Sequence, residues 1–123
     1  MKKVFITGVA GFLGSHLAKK MHQLGWSVVG NDNFVGADKK NLHSFVDFYE
    51  VDCCDLNNMA TAIEGCDLLF HCAATAHEGL SVFSPTFITR NNYEASVATF
   101  TAAIKAHVKR IVFCSSIARY GDQ

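Results

Sequence analysis

Proline is nearly missing from this 123-residue sequence; the only one is Pro85. Long helices and central strands can therefore run without a forced break. Charge of one sign is also missing, because eleven Lys and Arg balance eleven Asp and Glu. With no basic stripe, the composition argues against a nucleic-acid partner. No apolar run approaches the ~20 residues of a membrane span. The lysines at 2 and 3 precede an apolar run that breaks at Gly8, with no cleavage-site pattern after it. The reading is a non-membrane, cytoplasmic protein. The five cysteines (53, 54, 66, 72 and 114) form no C-x-x-C and are odd in number. That excludes a disulfide framework or zinc-ribbon reading and favours reduced thiols. Repeats, low-complexity tracts and linkers are absent as well.

What is present is apolar residue, half of the chain, against 18% charged. That suits one well-buried domain. Short apolar runs alternate with longer helical stretches. Strands are expected at 3–7, 27–31, 47–51, 67–72 and 110–114. Helices are expected at 11–24, from Asp55 or Asn57 to 63, and over 86–107. Leu13, Leu17, Met21 and Leu24 would form the inward stripe of the first helix, with Gly25 as its C-terminal cap. Residues 33–44 read as loop with a turn of helix, and the stretch up to Pro85 as a long loop. Alternation of this kind predicts βαβ units in an α/β, doubly wound parallel sheet. Right-handed crossovers favour the strand order 3-2-1-4-5.

The strongest chemical pattern is Thr7-Gly8-Val9-Ala10-Gly11-Phe12-Leu13-Gly14, where the first strand turns into the first helix. Glycines let a backbone turn tightly and approach a pyrophosphate without a Cβ in the way. The helix N-terminus then offers unpaired N–H groups and partial positive charge. Asp32 follows near the ~20-residue spacing of a ribose-binding acid. Its carboxylate would accept from ribose hydroxyls and repel a 2′-phosphate, and no arginine stands near it in sequence, so NAD is favoured over NADP. A phosphate-binding loop of the G-K-S/T type is excluded, because no such ending closes the turn.

The spacing is G-x-x-G-x-x-G, and Thr-Gly-x-x-Gly-Phe-x-Gly-Ser-His resembles the extended short-chain dehydrogenase/reductase family of NAD-dependent sugar epimerases and dehydratases. Further segments carry the resemblance along the whole chain. They are Asp55-Leu56, His71-Cys72-Ala73-Ala74, Ser84-Pro85, Asn91-Asn92, and Ser115-Ser116-Ile117-Ala118-Arg119-Tyr120-Gly121-Asp122. The resemblance implies a Rossmann-type domain over residues 1–123 with bound NAD. Further strands and a nucleotide-sugar domain would lie beyond Gln123. It implies pyrophosphate contacts at Gly8, Gly11, Phe12, Leu13 and Gly14, and ribose contacts at Asp32 and Asn33. Asp55 and Leu56 would flank adenine. Cys72, Ala73, Ala74 and Ala76 would line the cofactor, Asn91 would approach it from the long helix, and Ser116 would be the catalytic hydroxyl. A nucleotide sugar would be the substrate, and a homodimer would form on the long helix.

Departures from the family pattern are Ala95-Ser96 in place of Gly-Thr, and Arg119 where small or apolar residues are frequent. Tyr120 has no lysine four residues on, so the Tyr-x-x-x-Lys pair is absent from these 123 residues. The chain by itself is therefore expected to be inactive. Two other readings remain open at this point: a reductase that consumes its cofactor, and a non-catalytic NAD-binding module or redox sensor. The scattered histidines, His16 and His71 among them, show no metal-ligand spacing. Cys72 and Cys114 read as inert buried thiols.

Overall fold

The structure, a computed structural model, describes residues 2–75 and 79–122. Five strands form one parallel sheet in the expected order 3-2-1-4-5. They are β1 (Lys3–Thr7), β2 (Ser27–Asn31), β3 (Asp47–Tyr49), β4 (Leu68–His71) and β5 (Arg110–Phe113). Helices α1 (Phe12–Gln23) and α2 (Leu56–Ile63) follow β1 and β3. After β4 come a single turn, α3 (Leu80–Phe83), then α4 (Pro85–Ile88), a π-helical segment (Thr89–Glu94) and α5 (Ala95–Lys105). The expected long helix is thus present but built of three segments, α-helical, π-helical and α-helical, and α3 occupies part of the expected loop. Short 3-10 turns lie at Lys39–Asn41 and Ile117–Tyr120.

The central strand shows why its three middle residues, Val4, Phe5 and Ile6, are all apolar. Successive side chains alternate faces, and helices cover both. Val4 and Ile6 pack with Val9, Ala18, Met21 and Val28. Phe5 packs on the opposite face with Met59, Ile63, Leu69, Ala102 and Ala103. All three β1 side chains are fully buried, each contributing roughly 1.5–3 kcal/mol relative to exposure.

The inward stripe of α1 differs from expectation. Gly14, Ser15, Ala18 and Met21 are buried, whereas Leu13 and Leu24 are exposed. Hydrophobicity pointed to the leucines, but distance decided. The helix approaches the turn so closely that a Cβ on Gly14 would sit 2.0 Å from the Gly8 carbonyl oxygen. Gly25, with φ +89°, follows the helix and donates to the His22 carbonyl, as a C-terminal glycine does. Asp55 is the cap of α2, accepting from the Asn58 N–H at 3.3 Å. Among the described residues no helix is long and apolar enough to cross a membrane.

Candidate nucleotide site

An open cleft lies over the carboxyl ends of β1, β2 and β4. This is where the chain order reverses direction across the sheet, the crevice that open α/β sheets use for ligands. Gly8, Gly11, Asp32, Asn33, Cys72, Ala73, Ala74 and Asn91, all singled out from sequence, line it. Phe12 and Leu13 stand beside it on the exposed first turn of α1. Gly14 lies beneath, packed on the turn. Asp55 and Leu56 do not line the cleft; Asp55 caps α2, and the acidic residue that the segment after β3 gives to the wall is Asp52, followed by Cys53. Ser116 follows β5 at the same end of the sheet, outside the cleft lining. Ala76 lies outside the described residues.

The turn is shaped for close approach. Gly8 has φ +65°, and a Cβ there would meet the Ala73 backbone at 3.0 Å. Its carbonyl accepts from the Gly11 N–H at 2.9 Å. Gly11, the N-cap of α1, has no side chain to satisfy the first N–H groups, and the first turn carries no acidic residue. That end keeps its donors and its positive dipole for an anion.

Asp32 is 7% exposed. Its Oδ2 accepts from the Ala10 N–H at 3.1 Å, and Oδ1 accepts from the Phe34 N–H at 2.9 Å. One carboxylate thus ties the glycine turn to the loop after β2, with lone pairs left for ligand hydroxyls. Asn31, missed in the sequence, also lines the cleft. Its Nδ2 donates to the Val51 carbonyl at 2.8 Å. Its Oδ1 is buried with no partner among the described residues. An acceptor stranded in a cleft wall suits a ligand that brings a donor.

Asp52 is held by the Cys54 N–H at 2.8 Å and by Arg90 Nη1 at 3.0 Å. Burial alone would push its carboxyl up; the Cys54 N–H and the Arg90 guanidinium outweigh that and hold it below the usual carboxylate range. The only signal that could have found Asp52 is its place directly after the expected third strand, 47–51.

A hydrogen-bond chain supports the wall on the β4 side. Thr7 Oγ1 accepts from the Cys72 and Ala73 N–H groups at 2.9 and 3.0 Å. Both lone pairs being used, the hydroxyl must donate to His71 Nδ1, 2.7 Å away. That sets the neutral tautomer with Nε2–H donating to Ser96 Oγ at 2.9 Å, and Ser96 donates in turn to the Asn92 carbonyl. Burial lowers the His71 imidazole to about 4, consistent with a ring that must accept at Nδ1. Asn92 then clamps the Thr75 backbone, accepting from its N–H at 2.7 Å and donating to its carbonyl at 3.0 Å. Asn91 donates to Thr75 Oγ1 at 3.1 Å. The π-helical pitch lets two consecutive asparagines reach the same residue, which is the kind of place such segments occur. Thr75 and Ala95 line the cleft as well.

The cleft fits a dinucleotide on its own geometry: a glycine cradle, an uncapped helix end, an anchored carboxylate and a stranded acceptor. Comparison with known proteins agrees. Residues 4–123 match the NAD dependent epimerase/dehydratase family. UDP-glucose 4-epimerase of Caenorhabditis elegans is 32% identical over 135 residues, covering 96% of this chain and 39% of that protein. UDP-N-acetyl-alpha-D-glucosaminuronate decarboxylase of Bacillus cytotoxicus is 29% identical, covering 98% and 38%. The crystal structure of UDP-glucose-4-epimerase from Stenotrophomonas maltophila, with bound NAD and formylated UDP-arabinopyranose, superposes with a TM-score of 0.94 at 30% identity. The match covers all of this chain and 39% of that one. The chain thus spans under two fifths of the length of these relatives.

Proposed function

The chain belongs to the NAD dependent epimerase/dehydratase family, and from that premise we propose that it is the NAD-binding part of a nucleotide-sugar epimerase or dehydratase of the UDP-glucose 4-epimerase type. The observation that carries the reading is the glycine turn and Asp32 meeting in one cleft at the carboxyl edge of the sheet. In it, Phe12 and Leu13 present N–H groups to the pyrophosphate, with Gly8 and Gly11 leaving the room for it. Asp32 and Asn33 hold the adenosine ribose. Asp52 and Cys53 take the place beside adenine that sequence reading gave to Asp55 and Leu56. Residues 72–75 and Asn91 bound the other half.

When bound, NAD supplies the acceptor and later the donor of a hydride. The contribution of this chain to the chemistry is Ser116, which would hydrogen-bond the reacting sugar oxygen. The Tyr-x-x-x-Lys pair expected to move that proton is absent from residues 1–123. The chain by itself is therefore proposed to bind cofactor without turning over sugar. The exposed stripe Tyr93, Val97 and Ile104 on the long helix supports self-association there as a homodimer.

Titrating NAD and NADP against the chain by calorimetry tests the reading. NAD should bind more tightly. Tighter NADP binding rejects the role given to Asp32, and turnover of UDP-glucose or UDP-galactose by the pure chain rejects the inactivity.

A further inference from the structure

Two thiols meet at the edge of the cleft: Cys72, which lines it, and Cys114, which stands outside its lining. Cys72 follows β4 and Cys114 follows β5. The last ladder pair is His71 opposite Phe113, so the parallel register continues to set Cys72 across from Cys114. The Cys114 N–H still donates to the His71 carbonyl at 3.4 Å. The two sulfur atoms are 3.6 Å apart. Adjacent strands lie about 4.8 Å apart, within the roughly 4.4–6.8 Å between Cα atoms that a disulfide spans. Closing from contact to a bond of about 2.05 Å moves the sulfurs by ~1.5 Å. Both residues sit just past the last ladder pair, where side-chain torsions can supply that.

Among the described residues no other pair of thiols is within hydrogen-bond distance. Cys53 is buried against the Asn31 amide, Cys66 is buried, and Cys54 donates to the Arg90 carbonyl. The contacting pair is unequal. Cys114 is exposed, whereas Cys72 is half-buried in the cleft wall. Burial and then the neighbouring Cys114 thiol push the Cys72 thiol up, so Cys114 is the sulfur that meets a reagent first.

We propose that Cys72 and Cys114 are a redox-modification site, a dithiol that a low-molecular-weight disulfide such as oxidised glutathione converts to a disulfide bridging β4 and β5. The Cys114 thiolate attacks one glutathione sulfur, forming a mixed disulfide and releasing one glutathione thiol. Cys72 then attacks the Cys114 sulfur, forming the bridge and releasing the second. The two cysteine protons end on the two glutathione thiols; the protein loses two electrons and oxidised glutathione gains them. The bridge draws the Cys72 side chain toward β5, beside the N–H anchors of Cys72 and Ala73 on Thr7. Resting on the dinucleotide reading of the cleft, the oxidised chain binds NAD more weakly than the reduced one.

The chain is incubated with oxidised glutathione under native conditions, quenched with acid, and digested without reductant for mass spectrometry. The expected product is one peptide pair joined through Cys72 and Cys114, separated by dithiothreitol. Cys72→Ser should stop at a single glutathione on Cys114, and Cys114→Ser, changed at an exposed position, should leave Cys72 unmodified. A lasting glutathione adduct on Cys114 in the unaltered chain, or equal crosslinking through Cys53, Cys54 or Cys66, overturns the proposal. NAD titration of the oxidised and reduced chains should differ by about fivefold or more. Equal affinities overturn the link to the cleft, whereas failure of the reduced chain to bind NAD counts against the dinucleotide reading and leaves the crosslinking result to decide the redox site.

Discussion

Asp32 has two duties, and a substitution separates them. It anchors the turn through Ala10 and the following loop through Phe34, and it faces the cleft. Asp32→Ala should weaken NAD by roughly ten- to a hundredfold, the size of a lost hydrogen bond to a charged group, and narrow the gap to NADP. Asp32→Asn, which can keep one backbone bond, should retain more stability than Asp32→Ala while still losing NAD preference. Calorimetric titration with both cofactors, together with urea unfolding, reads the two effects apart. Equal NAD affinity in all three proteins rejects the ribose role.

His71 makes a pH prediction at the same scale. The unfolded chain takes up a proton at this imidazole below pH 6.5, but the folded chain does so only near 4. Its contribution is full above pH 6.5 and falls as pH drops toward 4, by at most ~3 kcal/mol. Asp52, held below its usual range, loses its contribution only as pH falls through the lower carboxylate window. Urea unfolding at pH 7.5 and 4.5 should show a steeper loss in the unaltered chain than in His71→Gln. Parallel losses count against the assignment.

At the scale of elements, the close contact between α1 and the glycine turn sets the strictest limit. Gly14→Ala puts a Cβ 2.0 Å from the Gly8 oxygen and 2.8 Å from its carbonyl carbon. Backbone atoms cannot yield as a flexible side chain can, so a loss of at least about 1–3 kcal/mol is expected. Gly30→Ala in β2 meets Val9 Cβ at 2.6 Å and the Ile6 oxygen at 2.7 Å and should behave alike. Gly36→Ala, with nothing within 4 Å, should be near neutral. Thermal unfolding of the three variants ranks them, and a destabilised Gly36→Ala with an unaffected Gly14→Ala rejects the packing argument.

For the whole molecule, the exposed apolar surface is uneven. β5 ends the sheet, and Phe113 is 54% exposed. Val112 is partly exposed there too, with Tyr93, Val97 and Ile104 on the long helix. The charged Lys109 and Arg110 stand only at the start of β5, which leaves an open edge able to pair with another chain. The chain should therefore form concentration-dependent oligomers, and Val112→Lys should reduce them. Sedimentation showing a monomer at high concentration would falsify this.

The local periodicities of the sequence determined the five strands, their alternation with helices, the glycine turn and the capping of α2 near Asp55. Each of these rests on neighbours in the chain: alternation, helical spacing, or glycine beside a strand end. The order 3-2-1-4-5 also followed, because right-handed crossovers leave few arrangements. Tertiary structure decided whatever depends on distance between segments remote in sequence. It set Asp52 in the cleft wall, held by Cys54 and Arg90, and Asp55 at the cap of α2. It buried Gly14 and Ala18 in place of Leu13 and Leu24, because close approach leaves no room for leucine. It wound the long helix into a π segment that sends Asn91 and Asn92 to Thr75. It also brought Cys72 and Cys114, read from sequence as separate inert thiols, into contact, because parallel register aligns residues that the chain itself keeps far apart.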